Sequence, residues 1–374
     1  MNKNLCPICG GKRVKDGKTK SGKQRWLCKE CGSSLRNQID TSAKTLEMFL
    51  GWLSGKKTQE ELRFSARTFR RHTRELWSVW PLAPLTGEVH RVVFVDGIQV
   101  AKNVHVLIAC TSDYVIGWYL ARSENSNAWG ALMRSIPSPD MVVCDGGTGF
   151  EKARKKYWPH TRVQRCLYHV YKQVAKNTTS RPRLEAGVQL YGLAHRLLHV
   201  KTPQEAMVWE RDFMAWCQRW EEFLSQRTIN PETRKSEWTH KPLVQARNSL
   251  KRLVKTKVLF TFLDPSVNQG QTFPSTNNQI EGAVNAQIRA MWRNHRGMST
   301  LRRAKAAFWW CYMHSENPLN PADILRTMPT DTDITRIYKN TLHNPQQHDG
   351  PNRWGNAIVW ADLHHQQPWN PHWD

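Results

Sequence analysis

The chain has 374 residues, with 55 Lys plus Arg against 31 Asp plus Glu, a formal charge of +24. That length predicts two to four domains, and a positive excess spread through every segment points to a polyanion as partner, nucleic acid first. No stretch approaches the ~18 apolar residues of a membrane span, and Met1-Asn2-Lys3-Asn4-Leu5-Cys6 lacks an apolar signal region, so a cytoplasmic, nucleoid-associated protein without membrane contact is expected, its 9 Cys serving as metal ligands or buried thiols rather than disulfides.

Residues 1–40 hold two C-x-x-C-G knuckles, Cys6-Pro7-Ile8-Cys9-Gly10 and Cys28-Lys29-Glu30-Cys31-Gly32. Each turn aims two thiolates at one point, and the four together suit one tetrahedral Zn²⁺. So short a segment has little core, so the metal would supply most of its folding energy. The intervening hairpin carries Lys12, Arg13, Lys15, Lys18, Lys20, Lys23 and Arg25 beside Trp26, a surface suited to phosphates.

Over residues 41–86 the pattern turns helical. Leu46, Phe49, Leu50 and Leu53 share one face, with Gly51 and Gly55 loosening the helix end. Thr58-Gln59-Glu60-Glu61 has the form of a capping box and predicts a short second helix. Ser65 caps a third, with Phe69 and Leu76 inward and Arg67, Arg70, Arg71 and Arg74 outward. This is the layout of a helix-turn-helix whose last helix reads the major groove, although a three-helix bundle with a basic face has the same pattern. Pro81 and Pro84 mark a boundary.

Residues 87–177 predict an α/β unit: strands at Val92–Val100, Val104–Ala109 and Val115–Leu120, a helix from Asn127 to Ile136, a strand Met141–Cys144, a helix over Phe150–Tyr157, and a strand near Arg162–Cys166. Three sequential strands followed by strand–helix alternation fit a mixed sheet covered by helices. Two apolar runs end on lone carboxylates, Val92-Val93-Phe94-Val95-Asp96-Gly97 and Met141-Val142-Val143-Cys144-Asp145-Gly146. A carboxylate in a strand is costly unless neutralised, and a divalent metal does this for two convergent acids. The following glycines also fit acids that merely cap a turn. Cys166-Leu167-Tyr168-His169 follows, readable as a buried thiol and a turn histidine; a second zinc site is not expected, since no other close ligand pair stands nearby.

Residues 178–271 read as an all-α insertion. Thr202-Pro203-Gln204-Glu205 is a capping box with proline at the first helical position. Ala206, Trp209, Phe213, Trp216, Trp220 and Phe223 recur at helical steps as a packing stripe. A second helix, Leu243–Val258, carries Arg247, Lys251, Arg252 and Lys255 for backbone contact. Over residues 272–316, Thr276 is expected to cap a helix with stripe Ile280, Val284, Ile288 and Met291, displaying Glu281 and Asn285 on an adjoining face and Arg289, Arg293 and Arg296 as a phosphate-binding row. Beyond Asn317 the chain, rich in Pro, Asn, His and Trp, reads as an extended arm with one short helix at Ala322–Arg326.

The strand–helix order resembles a ribonuclease-H-like fold, which places one acid on the first strand and a second after the fourth. More specifically, Asp96, Asp145, the C-x-x-H of Cys166 and His169, and Glu281 within Thr276-Asn277-Asn278-Gln279-Ile280-Glu281-Gly282 resemble the mutator-type DDE transposases of bacterial insertion sequences, over residues 89–177 and 272–315. The resemblance implies binding to the element's terminal repeats, 3′-end cleavage and strand transfer into target DNA, by a homodimer or larger synaptic complex. In-line phosphoryl transfer needs at least three carboxylates around two Mg²⁺ ions ~4 Å apart, a role Mn²⁺ also fills. Asp96 is expected to bridge them, with Asp145 and Glu281 flanking and Asp264 or Glu222 as substitutes for the third acid. The resemblance also implies an active-site role for His169, and for Trp220 the stacking of a flipped base at the cleaved end. The zinc ribbon is not general in that family. A metal nuclease of the same fold without strand transfer, or a DNA-binding regulator with structural carboxylates, would share the basic faces.

Overall fold

The computed structural model describes residues 5–6, 9–20, 22, 24–36, 42–62, 65–334 and 336. Lys23, Pro7 and Ile8 lie outside the described residues, as does the arm expected beyond residue 336. Strands β1 (Arg13–Lys18), β2 (Gln24–Cys28) and β3 (Ser34–Arg36) form an antiparallel sheet beside the cysteine knuckles. Helix α1 spans Ser42–Ser54 and α2 spans Ala66–Thr73. Strands β4 (Val92–Ala101), β5 (Val104–Cys110) and β6 (Val115–Ala121) follow, then α3 (Ser126–Arg134), β7 (Met141–Cys144), α4 (Thr148–Tyr157), β8 (Arg162–Arg165) and α5 (Leu167–Thr178). Helices α6 (Glu185–Leu197), α7 (Pro203–Arg219) and α8 (Glu221–Ser225), a hairpin of β9 (Arg227–Ile229) and β10 (Ser236–Trp238), α9 (Lys241–Lys255) and α10 (Pro265–Asn268) occupy the segment expected as an all-α insertion, the hairpin being the departure from that expectation. A π-helical turn, Gln279–Asn285, runs into α11 (Ala286–Asn294), followed by α12 (Thr300–Met313) and α13 (Pro321–Thr327).

The central sheet has the order β6-β5-β4-β7-β8. Its first three strands are antiparallel neighbours, while β7 and β8 run parallel to β4. Period-2 alternation divides the apolar residues between two faces. Val93, Val95, Val142 and Cys144 pack with Trp129, Leu132, Phe150 and Trp158 of the α3–α4 side. Phe94, Ile98, Met141 and Val143 face the other way, into a larger core with α5, α12 and the insertion helices. The ends of α3 and α7 are set locally: Asn125 Oδ1 accepts from the N–H groups of Asn127 and Ala128 at 3.0 and 2.9 Å, and Thr202 and Glu205 complete the capping box of α7. Ala206, Trp209, Phe213 and Trp216 are buried as the core stripe of α7.

Three expectations are corrected. The short helix at Thr58 is absent among the described residues. Glu61 does accept from the Thr58 N–H at 2.7 Å, but Ser65 is already extended (ψ 147°) to cap α2, so there is no room to propagate a nucleated turn. The helical segment also does not stand apart. Phe49 and Trp52 of α1 meet Trp309 and His295 at ring separations of 6.1 and 4.2 Å, and His295 Nε2 lies 3.0 Å from the Leu53 carbonyl. Finally, the chain after Asn317 stays docked as far as Ile334, which is fully buried. There the Trp80 N–H donates to the Pro329 carbonyl at 2.8 Å, and the buried ammonium of Lys305 pairs with Asp331.

Candidate active site

Parallel pairing aligns Val92 with Met141, Val93 with Val142 and Phe94 with Val143. Asp96 and Asp145 stand two residues beyond the last of these pairs on their respective segments, near enough for the Asp145 charge to act on Asp96. The two acids sit where β7 ends and β4 continues alongside β5 as far as Ala101, at the carboxyl end of the parallel strands, where α/β sheets open to ligands. Asp145 Oδ1 accepts from the Gly147 N–H at 3.0 Å, so it also serves the turn that its glycines suggested.

Glu281 reaches the same place from far along the chain. Its turn is π-helical rather than an α-helix capped by Thr276; the residue before the turn is Asn278, which makes no side-chain cap. The wider winding brings residues four apart closer to one line, so Glu281 and Asn285 share a face. Asn285 Nδ2 donates to Asp96 Oδ2 at 2.7 Å. Ile280, Val284 and Ile288 anchor the turn in the core. Buried Asn277 ties it to β4 and to the start of α5: its Nδ2 donates to the Val95 carbonyl at 3.1 Å, and its N–H donates to Cys166 Sγ at 3.1 Å. His169 Nδ1 stands 3.2 Å from Glu281 Oε1, yet neither atom is aligned for a hydrogen bond, and both are shielded from solvent.

The electrostatics are those of crowded acids. Burial, then the charges of Asp145 and Glu281, push the Asp96 carboxyl up to about 7. Glu281 is raised by burial, with His169 opposing. A fourth acid, Glu124, joins the group. It is raised by burial and by Asp145, and its carboxylate lies where a Cβ on Gly97 would be. Sequence patterning missed Glu124 because it sits in a loop ahead of α3, in no motif; the bare Gly97 opposite it is the one trace. Arg165 was missed as well: its guanidinium occupies the space above Gly146, which has φ +86°. Asp96, Glu124 and Glu281 are raised, in part by neighbouring acid charge, and Glu281 Oε1, Asn285 Oδ1 and Asn277 Oδ1 are buried without a partner; oxygen donors of this kind are those that hard divalent cations take. Of the substitutes for the third acid, Asp264 is spent on Arg162 at 3.0 Å and on capping α10, and Glu222 is exposed on α8.

The basic residues divide. Arg289, Arg293 and Arg296 are exposed and line one cleft of about 520 Å³ with Arg303. An adjoining cleft of about 730 Å³ joins Arg293, Arg296 and Arg302 to Lys56 and Arg70, so the helices before and after the sheet contribute to one basic surface. Arg67, Arg71 and Arg74 are exposed on or next to α2. Arg247, expected outside, is instead buried against Glu221 at 3.5 Å. Trp220 is half-buried, its indole N–H donating to Gln189 at 2.9 Å and its ring packed edge-on to Phe223.

At the amino end, Cys6 and Cys31 Sγ are 3.7 Å apart, Cys9 and Cys28 Sγ 3.5 Å, and all four sulfurs lie within 4.8 Å of one another. Tetrahedral Zn–S bonds of ~2.3 Å would set sulfurs ~3.8 Å apart, so the quartet fits zinc. Gly10 and Gly32, at φ 79° and 67°, return their N–H groups to the Cys6 and Cys28 carbonyls at 2.9 and 3.0 Å, making two matching knuckles.

This combination defines an acid-centred α/β protein with a broad cationic surface, and the chain belongs to the Mutator family of transposases, whose model matches residues 59–262, more than half of the sequence. The match includes Asp96, Asp145, Cys166 and His169 but stops before Glu281. The chain is similar to the transposase for insertion sequence element IS905 of Lactococcus lactis subsp. lactis (strain IL1403), at 28% identity over 102 residues, 23% of this chain and 26% of that protein. It is also similar to a probable transposase for an insertion sequence element of Corynebacterium diphtheriae, at 24% identity over 100 residues, 22% of this chain and 29% of that protein. The similarity thus spans little more than a quarter of these curated relatives. Among the described residues no helix is long and apolar enough to cross a membrane.

Proposed function

We propose that this chain is a DDE transposase with a ribonuclease-H-like catalytic unit, which binds the terminal repeats of its own element, cleaves their 3′ ends and transfers them to target DNA. The observation that supports this reading is that the charges of Asp145 and Glu281, from two other parts of the chain, both act on the half-buried Asp96 carboxylate. Bound Mg²⁺, or Mn²⁺ in its place, would lower the pKa of the attacking water or 3′-hydroxyl and stabilise the leaving oxygen. Asp96, Asp145 and Glu281 would hold these ions. Asn285 fixes the Asp96 carboxylate, and His169, beside Glu281, lies near the scissile phosphate. Arg289, Arg293 and Arg296, continuous with Arg70, grip the phosphodiester backbone approaching these acids, and Arg67, Arg71 and Arg74 extend the grip toward α2. The Cys6, Cys9, Cys28 and Cys31 quartet holds one structural Zn²⁺ and adds end contacts. Trp220 stacks on a flipped base only if the Gln189 bond is released. Two synapsed ends call for a homodimer or larger assembly.

The test uses duplexes from the element's own ends. Asp96→Asn, Asp145→Asn and Glu281→Gln are each expected to bind them at wild-type affinity or tighter, with cleavage lost by at least ~10³-fold. Retained cleavage in any of the three would remove that residue from the role. Pre-cut ends with a free 3′-hydroxyl, supplied with a target plasmid and Mg²⁺, separate a transposase from a metal nuclease of the same fold: joined product is expected, and its absence under conditions that still permit cutting favours the nuclease.

A further inference from the structure

Cys166, His169 and Glu281 come from two segments that meet only in the folded chain, and their donor atoms all lie within 4.8 Å of one another. The site is already half made. His169 Nδ1 and Glu281 Oε1 are 3.2 Å apart and shielded, with no hydrogen-bond partner, near the ~3.3 Å that two ligands of a tetrahedral ion keep. Cys166 is fully buried at the start of α5. Its sulfur receives the Asn277 N–H at 3.1 Å and those of Tyr168 and His169. Burial outweighs these contacts and holds the Cys166 thiol above its usual range, so a metal binds there by displacing the proton. A sulfur, an imidazole and one carboxylate are the donor set of Zn²⁺ with an open fourth position, whereas Mg²⁺ selects oxygen.

We propose that Cys166, His169 and Glu281 form a second, soft-metal site that takes Zn²⁺, and that filling it withdraws Glu281 from the hard-metal centre and switches the enzyme off. The second half of this statement rests on the transposase reading; the first half does not. A side-chain movement of ~1 Å by His169 and Glu281, both only partly buried, closes the ligand distances. Glu281 then cannot serve both sites, so Zn²⁺ and the catalytic ions compete through one carboxylate.

The experiment uses the full chain, dialysed against micromolar Zn²⁺, with bound metal counted by atomic absorption. Wild type is expected to hold one Zn²⁺ per chain more than Cys166→Ser, whose hydroxyl still accepts the Asn277 N–H, and more than His169→Gln. Equal zinc content in all three overturns the site. If neither variant folds, Co²⁺ absorption of wild type decides: a band of mixed sulfur–nitrogen–oxygen ligation beside that of the four-cysteine site is expected, and a four-sulfur spectrum alone refutes it. In Mg²⁺-dependent cleavage, half-inhibition by Zn²⁺ should need at least ~10-fold more metal in Cys166→Ser than in wild type; equal sensitivity overturns the switch. Absence of wild-type cleavage without Zn²⁺ would instead count against the transposase reading and leave the metal count to judge the site.

Discussion

Replacing Asp96 by Asn should make the metal-free protein more stable at neutral pH, although it removes the residue at the centre of the site. The Asp96 carboxyl is lifted from 3.8 to about 7 by burial and by two neighbouring acids. The native state therefore holds this proton more tightly than the unfolded chain does. Its contribution to stability is complete below about pH 4 and is lost as the pH rises to about 7. At ~1.36 kcal/mol per tenfold, the full shift corresponds to about 4 kcal/mol, which partial solvent access reduces to about 2 kcal/mol. The carboxamide of the Asp96→Asn variant is neutral at every pH, and its oxygen can still accept from Asn285 Nδ2. In EDTA, the melting temperatures of wild type and Asp96→Asn should coincide near pH 4, diverge between pH 4 and 7, and differ by about 3 °C above it, the variant being higher. Adding Mg²⁺ or Mn²⁺ at pH 8 should raise wild type and leave Asp96→Asn nearly unmoved. Parallel pH curves, or a wild type that gains stability from pH 4 to 7 relative to the variant, would refute the crowding of acids from which the metal site is argued.

Gly146→Ala places a methyl group on the Arg165 guanidinium at a backbone φ of +86°; it should cost about 1–3 kcal/mol and reduce cleavage, read by denaturant melts and end-cutting assays. Chelating zinc, or Cys28→Ser, should unfold residues 5–36 while the main melting transition stays in place, seen as new protease cuts confined to that segment. Asp331→Ala removes the carboxylate that pairs with the fully buried Lys305 ammonium, which also donates to the Trp77 carbonyl, and should cost about 3–5 kcal/mol, much of it recovered in the Lys305→Met, Asp331→Ala double variant. Arg293→Ala and Arg296→Ala should weaken DNA binding across unrelated sequences and each lower the salt slope by about one.

Local pattern carried most of the elements. The strands and helices between Val92 and Arg165 lie within a few residues of where period-2 and helical spacing put them, because each element buries one face and alternation reports that face directly. The knuckle cysteines and the aspartates that close two apolar runs, Asp96 and Asp145, are legible for the same reason, since chemistry and spacing occupy one short window. The failures were of another kind. Thr58 heads a capping-box pattern, of which only the return bond from the Thr58 N–H to Glu61 forms, and among the described residues no helix follows it. Arg247 looks like a surface cation until its helix is rotated onto Glu221.

What sequence determined alone was the set of elements and the unusual acids within them, both consequences of neighbouring residues. What only the tertiary structure decided was their company. Glu124, Asn285 and Arg165 beside Asp96 and Asp145, Glu281 on a π-helical turn, and Cys166 within reach of Glu281 all depend on strand register and on how helices close over one sheet face. Contacts between residues remote in the chain are selected by the packing of the whole core, and no local spacing encodes them.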